Sequence, residues 1–404
     1  MSVARCDVII VGGGIIGLAV GLEITNRFPR IRLLLLEKEG RVGRHQSGHN
    51  SGVIHSGVYY KPRSLKATLC VEGARAMIEF CRDHGVPCRI CGKVIVATEE
   101  GELPRLEELR RRGQANGLVG LRTIESNELR EIEPHAGGLR ALAVPSTGIT
   151  DYAAVCEKYA ELISKMGGTI LTATEVIGIN RGANEIVVET KVGEFSAGYL
   201  INCSGLFSDR IARMAGDDPQ ITIVPFRGEY YDLVPARSSL VRNLIYPVPD
   251  PQFPFLGVHF SRRINDCVDA GPNAILALRR EGYRRSDFSP RDVASSLAFP
   301  GFWRMAAQHW RSGLDEFRRS FSKPAFVQAL QRLIPEVREE DLIRGGSGVR
   351  AQAVKRDGTL VDDFLFVASA KTLHVLNVPS PAATASLAIG RAVVELAKEC
   401  FDLR

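Results

Sequence analysis

The residues with the plainest chemical meaning stand near the start of the chain. Gly12-x-Gly14-x-x-Gly17 follows the apolar run Val8-Ile9-Ile10-Val11, and Glu37 follows Gly17 by twenty residues. A pyrophosphate needs backbone N–H groups at a helix N-terminus and no side chain in its approach. Gly12 permits the tight turn, Gly14 the close approach, and Gly17 the contact of helix with strand. Glu37, at the end of a second apolar strand, is placed to accept hydrogen bonds from ribose hydroxyls. A glycine loop alone is a weak signal; strand, loop, helix and carboxylate together point to a dinucleotide. Residues 41–60 then abandon apolar periodicity for a stretch rich in Gly, Ser and His, where an NAD enzyme would add further βα units. Polar loops of that kind suit a flavin threaded through the protein, so FAD is the expected cofactor.

These residues need elements to position them. Cys6–Val11 reads as a buried strand, Ile15–Asn26 as a helix and Arg30–Leu36 as a strand, which together make a βαβ unit. A helix is expected from near Ser64, a strand over Ile90–Thr98, and a charged helix over Glu100–Gly113. Asp151–Met166 reads as a helix capped by Thr150 or Asp151. Strands are expected over Thr169–Ile179, Glu185–Lys191 and Tyr199–Cys203. Much of Ile221–Ala270 alternates as antiparallel sheet does. Ser289–Phe321 reads as helical, Phe364–Leu376 as strand, and Ala383–Lys398 as the final helix. The expected fold is α/β with an α+β insert: a Rossmann-like FAD-binding domain (1–85, 145–220 and 345–404) and an antiparallel-sheet substrate domain (86–144 and 221–344).

Composition bounds the partners. The chain has 404 residues, 45% hydrophobic and 24% charged, long enough for about two domains of ordinary size. Lys and Arg exceed Asp and Glu by 52 to 46, an excess that suits anionic substrates or an acidic surface but is too small to argue for nucleic acid, and none is expected. The nine cysteines, scattered and odd in number, point to reduced thiols in a cytoplasmic setting. Cys88-x-x-Cys91 lacks two further ligands at zinc spacing, so no metal site is expected. No apolar run has the length of a membrane span, and the first residues read as structure rather than as a signal peptide.

Longer motifs carry a resemblance. Gln46-Ser47-Gly48-His49-Asn50-Ser51-Gly52-Val53-Ile54-His55-Ser56-Gly57-Val58-Tyr59-Tyr60 resembles the signature of L-2-hydroxyglutarate oxidases/dehydrogenases, in the D-amino-acid-oxidase-like group of flavoproteins. So do Pro225–Tyr231, Pro254–His259, Gly348–Val354 and Asn377–Thr384. The resemblance covers nearly the whole chain and departs in the Arg-rich stretch before Gly345. It implies oxidation of L-2-hydroxyglutarate to 2-oxoglutarate with reduction of FAD, and electrons passed to a membrane quinone or O2. By analogy it places Ile15, Ile16, Lys38, Gln46, Ser47, His49, Asn50, Ser51, Gly52, Val176, Ser204, Gly205 and Asp209 at the cofactor. Ser380, Pro381, Ala382, Ala383 and Thr384 open the final helix, whose N-terminus would stabilise negative charge on the reduced ring.

The residues can be read for this reaction directly. It removes a hydride from the α-carbon and a proton from the hydroxyl, so the protein must supply a base and a clamp for carboxylates. His55 and His259 are the two candidates for the base, each against the alternative of a structural imidazole. Arg350 is the candidate carboxylate anchor, since a guanidinium holds a carboxylate in two parallel hydrogen bonds; an ion pair with Asp362 or Asp363 is its structural alternative. Tyr60 and Tyr231 can add hydroxyl donors or serve only as packing. Phe299–Phe321 interleaves Phe302, Trp303, Met305, Trp310 and Phe317 with Arg304, Arg311, Arg318 and Arg319. Such a helix either lies on an anionic bilayer, at the inner face of the cell membrane, or packs on its own domain with a solvated basic face. Two other functions fit the same cofactor: an amine or amino-acid oxidase of glycine- or sarcosine-oxidase type, and a flavin-binding subunit without activity.

Overall fold

The computed structural model describes residues 4–250 and 256–403. Strands Ala4–Val11 and Leu33–Leu36 flank the helix Ile15–Arg27, as the βαβ pattern requires. Their side chains face both ways into apolar cores: Val8 and Ile10 meet the helices, Ile9 and Val11 meet the strands behind. All four leucines of Leu33–Leu36 are buried, and each such side chain contributes about 1.5–3 kcal/mol by leaving water. Five parallel strands run in the order Thr169–Leu171, Leu33–Leu36, Ala4–Val11, Gly193–Asn202, Thr372–Asn377. The helices Leu65–His84, Tyr152–Lys165 and Ser386–Cys400 share one core with Ile15–Arg27. Ser64 caps the first of these through Ala67 N–H and Asp151 caps the second through Ala153 and Ala154 N–H.

A larger sheet carries the opposite wall of the site. It is built on the long antiparallel pair Ile221–Leu233 and Leu342–Lys355, and continues through Val268–Gly271, His259–Arg262, Leu244–Pro247, Lys93–Ala97 and Arg140–Val144 to Arg122–Glu125. The sheet is mixed rather than purely antiparallel, because Leu244–Pro247 runs parallel to Lys93–Ala97. Val53–Ile54, Gly148–Thr150 and Cys88–Ile90 form a third, small sheet.

The structure also corrects several element boundaries. Thr169–Ile179 is two strands, Thr169–Leu171 and Val176–Arg181, and the second belongs to an antiparallel hairpin with Ile186–Thr190. Phe364–Leu376 is an antiparallel pair, Leu365–Ala368 with Thr372–Asn377. Ser289–Phe321 divides at Pro300 into Pro290–Leu297 and Pro300–Phe321, the latter bent at His309. A proline at the first turn of each piece starts a new helix because it has no N–H to give to a preceding turn. The last helix opens at Ser386, and Ser380–Thr384 form a turn before it.

Candidate active site

One cavity of about 1830 Å³ runs from the glycine loop to the larger sheet. It exceeds the roughly 300–1,000 Å³ of an ordinary small-molecule pocket and has room for an extended dinucleotide beside a small acid. At one end Gly12 adopts φ +110°, and a Cβ there would meet the Cys203 carbonyl oxygen at 2.6 Å. A Cβ on Gly17 would sit 2.0 Å from the Gly12 carbonyl oxygen, so the helix can approach the loop only with glycine there. Glu37 accepts from Gly13 N–H at 2.7 Å through one oxygen and from Glu39 N–H at 2.8 Å through the other. Each oxygen retains a lone pair for a ribose hydroxyl.

Most residues expected at the cofactor line this cavity: Gly12, Gly14, Ile15, Ile16, Glu37, Lys38, Gln46, Ser47, His49, Asn50, Ser51, Val176, Ser204, Gly205 and the turn Ser380–Thr384. Ser47 Oγ accepts from Ile15 N–H at 2.9 Å and so ties the polar loop to the first helix. Asn50 folds that loop on itself through the carbonyls of Gln46 and Ser47. Lys38 Nζ is paired with Glu281 at 2.6 Å and with Glu39 at 3.0 Å. Gly17 and Gly52 shape the walls instead of lining them: Gly52, at φ +71°, lies where a Cβ would strike the Thr150 carbonyl oxygen.

Asp209 is a correction. It is fully buried away from the cavity, and its carboxylate is bonded by both terminal guanidinium nitrogens of Arg280 and by Ile223 N–H. Burial opposes its charge, and the Arg280 pair overcomes that and holds the carboxyl low. Tyr231 is a second correction. It faces the apolar core on the far side of the sheet, 4.8 Å from the Phe326 ring. Its neighbour Tyr230 lines the cavity instead, as the two-residue alternation of a strand demands.

His55, Tyr60, His259 and Arg350 line the same cavity. Arg350 lies on Leu342–Lys355, in register with Phe226. Asp362 and Asp363, its alternative partners, serve another helix: Asp362 binds Lys66 Nζ at 2.8 Å, and Asp363 takes Leu65 and Lys66 N–H. His259 Nδ1 lies 2.9 Å from the Gly257 carbonyl. A carbonyl can only accept, so Nδ1 bears the proton and Nε2 the lone pair. His55 Nδ1 is buried with no hydrogen-bond partner among the described residues, and its Nε2 is 3.4 Å from Ser380 Oγ. Both imidazoles are pushed down to about 3, first by burial. Nearby positive charge adds to this: Lys93 acts on both, and Arg350 acts on His259. Both rings are therefore neutral at pH 7. Of the motif containing His259, Pro254 and Phe255 lie outside the described residues.

Sequence reasoning passed over Tyr59, Tyr230 and Tyr246, which line the cavity, and Lys93, which lies behind Tyr59 and Tyr246. Tyr230 was within reach, since it shares a motif with Tyr231 and only strand parity separates them.

A glycine loop followed by a carboxylate at the end of the next strand, opening into a cavity lined by two imidazoles and a guanidinium, is the arrangement of a dinucleotide-dependent oxidoreductase. The family model described as FAD dependent oxidoreductase matches residues 7–396, and the chain belongs to that family. The chain is 51% identical over 396 residues to an L-2-hydroxyglutarate dehydrogenase of Indibacter alkaliphilus, covering 98% of this chain and 99% of that one. It is 44% identical to the human mitochondrial L-2-hydroxyglutarate dehydrogenase, covering 100% of this chain and 90% of the human one. It is 46% identical to an Escherichia coli K12 protein of the same name, over 96% of this chain and 92% of that one. Among solved structures, the L-α-glycerophosphate oxidase of Mycoplasma pneumoniae, with FAD bound, superposes with a TM-score of 0.81 at 22% identity, covering 98% of this chain and 95% of that one. A glycine oxidase of Geobacillus kaustophilus does so at 0.73 and 19%, with the same coverage. These two likenesses establish the fold.

Proposed function

We propose that this protein oxidises L-2-hydroxyglutarate to 2-oxoglutarate. The observation that carries the reading is the convergence of His55, His259, Arg350 and Tyr230 on the cavity that begins at the glycine loop, in a chain so similar to L-2-hydroxyglutarate dehydrogenases. Bound FAD supplies the acceptor for the α-hydride. Arg350 takes one substrate carboxylate in a bidentate grip, with Tyr230 and Tyr60 as hydroxyl donors beside it. The hydroxyl proton goes to one of the two neutral imidazoles. His259 offers Nε2, whose lone pair is fixed by the Gly257 bond; His55 offers a ring nitrogen on the side of Ser380. Substrate carboxylates raise the affinity of either ring for that proton, since opposite charge favours the charged imidazolium. In this reading the cofactor domain takes 4–85, 145–220 and 356–403, and the substrate domain 86–144, 221–250 and 256–355; the expected boundary at 345 falls inside Leu342–Lys355, which pairs with Ile221–Leu233 of the larger sheet. Steady-state assays with an artificial acceptor test the reading: 2-oxoglutarate should form from the L-isomer and not from its D-isomer, and glycine and sarcosine should give no turnover.

The electron acceptor in this reading is a membrane quinone, reached by peripheral contact. No helix among the described residues is long and apolar enough to cross a membrane. Helix Pro300–Phe321, however, does not pack all its aromatics on its own domain. Phe302 and Met305 are buried, whereas Trp303, Trp310, Leu314, Phe317 and Phe321 are each more than half exposed. Arg304, Arg311, Arg318 and Arg319 lie among them. Exposed aromatic residues with interleaved arginines suit an anionic bilayer surface.

A further inference from the structure

Lys93 opens the strand Lys93–Ala97 and is almost wholly buried, at 3% exposure. Its Nζ has no hydrogen-bond partner among the described residues. It lies 4.5 Å from the centre of the Tyr59 ring and 4.8 Å from that of Tyr246, two residues that line the cavity. Tyr246 in turn lies against His259, with ring centres 3.9 Å apart. Lys93 thus stands one layer behind the wall that carries the candidate base. The titratable groups that face it come from every side: Tyr59, Cys70 on the helix Leu65–His84, Cys91 just before its own strand, Tyr246, His55 and His259. None of these is a carboxylate. Arg350, which also acts on His259, adds a further positive charge nearby.

A buried ammonium without a counter-ion is costly, and such a group sheds its proton before it pays that desolvation. Burial pushes Lys93 down to about 7, with Cys70 and Cys91 opposing. Faces of the two tyrosine rings stabilise a cation but accept no classical hydrogen bond from it. Asp269 stands beyond Tyr246, bound to Arg263 and raised by burial to about 7; no carboxylate faces Lys93 itself among the described residues, and a dicarboxylate in the cavity brings one.

We propose that Lys93 is a positioning residue that couples substrate charge to proton uptake: when a dicarboxylate enters the cavity, Nζ takes a proton from solvent, and the ammonium on the rings of Tyr59 and Tyr246 stabilises the anion from behind the wall. One N–H bond forms on the Nζ lone pair, the proton comes from buffer, and no electron changes hands. The inference rests on the reading of the substrate as a dicarboxylate.

Glutarate, a dicarboxylate without a hydroxyl to oxidise, is the probe. Calorimetric titration of the FAD-loaded enzyme at pH 8 in two buffers of different ionisation enthalpy should report uptake of most of one proton, falling toward zero at pH 6. Glutarate affinity should weaken roughly tenfold per pH unit above 7, as for any ligand linked to one proton. Lys93→Met should abolish the uptake and flatten the pH dependence. Lys93→Arg, charged at every pH, should also abolish the uptake but keep binding tight to pH 9. Uptake of wild-type size in both variants, or a wild-type affinity constant from pH 6 to 9, would overturn the coupling; the second measurement needs no variant to fold. Glutarate binding without pH dependence would sink this inference alone. No glutarate binding at any pH would sink the dicarboxylate reading and the inference with it.

Discussion

The ring of His259 lies 3.9 Å from that of Tyr246, centre to centre, while its Nδ1 faces the Gly257 carbonyl at 2.9 Å. The Tyr246 ring packs against the imidazole at a tilt of 34°, and the hydrogen bond fixes the tautomer, leaving Nε2 as the acceptor. His55 reaches the same cavity from the cofactor loop.

Both imidazoles are depressed to about 3 by burial. The active, neutral form should therefore persist well below the ordinary histidine range. The acid limb of kcat/KM is expected below pH 5 rather than near 6.5, and a limb at 6.5 lost in His55→Asn or His259→Asn would contradict this. Replacing whichever ring is the base should lower kcat by about 10²–10⁴. The same depression has a stability sign. Between 6.5 and about 3 the unfolded chain binds more protons than the folded one, so Tm should fall as pH drops through that window.

Arg350→Lys should raise KM for L-2-hydroxyglutarate about tenfold or more with a smaller change in kcat, because a point charge replaces a planar fork. Unchanged KM would remove Arg350 from the carboxylate clamp.

Tyr230 and Tyr231 should separate cleanly. Tyr230→Phe removes a cavity hydroxyl and should alter KM or kcat with little change in Tm. Tyr231→Ala empties space against Phe326 and should cost about 1–3 kcal/mol of stability, less than a fully buried aromatic because Tyr231 is half-buried, while the folded fraction keeps its KM. Kinetics and thermal melts on the two variants decide it.

Gly17→Ala places a methyl 2.0 Å from the Gly12 carbonyl oxygen and should yield protein that retains little FAD. Gly40→Ala, with nothing within 4 Å of the new carbon, should keep its full complement. Absorbance of the purified variants at the flavin band is sufficient to compare them.

Trp303→Ser with Trp310→Ser should reduce sedimentation with anionic vesicles by about tenfold and leave turnover with a soluble acceptor intact. Binding that survives both changes would exclude this helix as the membrane face.

How far the sequence reveals the site depends on how local each signal is. Gly12, Gly14, Gly17 and Glu37 are readable because one strand, one turn and one helix contain their whole geometry. Tyr230 and Tyr231 are harder, because a register shift between Glu229 and Tyr231 blurs the alternation that decides which face each takes. Asp209 misleads because its partner Arg280 lies 71 residues further on. Lys93 falls inside the strand expected over Ile90–Thr98, where a lone lysine gives no sign of burial; the packing of Tyr59 and Tyr246 on it shows that it is buried. Small residues suit both turn and helix, so the sequence points to Ala383 as the start of the last helix, whereas the turn runs on and the helix begins at Ser386.

The most direct test is anaerobic mixing of the yellow protein with L-2-hydroxyglutarate, its D-isomer, glycine and sarcosine in turn, following flavin absorbance. Rapid bleaching by the L-hydroxyacid alone is the expected result. Bleaching by glycine or sarcosine, with the L-hydroxyacid inert, would keep the fold and the cofactor and contradict the roles given to His55, His259 and Arg350.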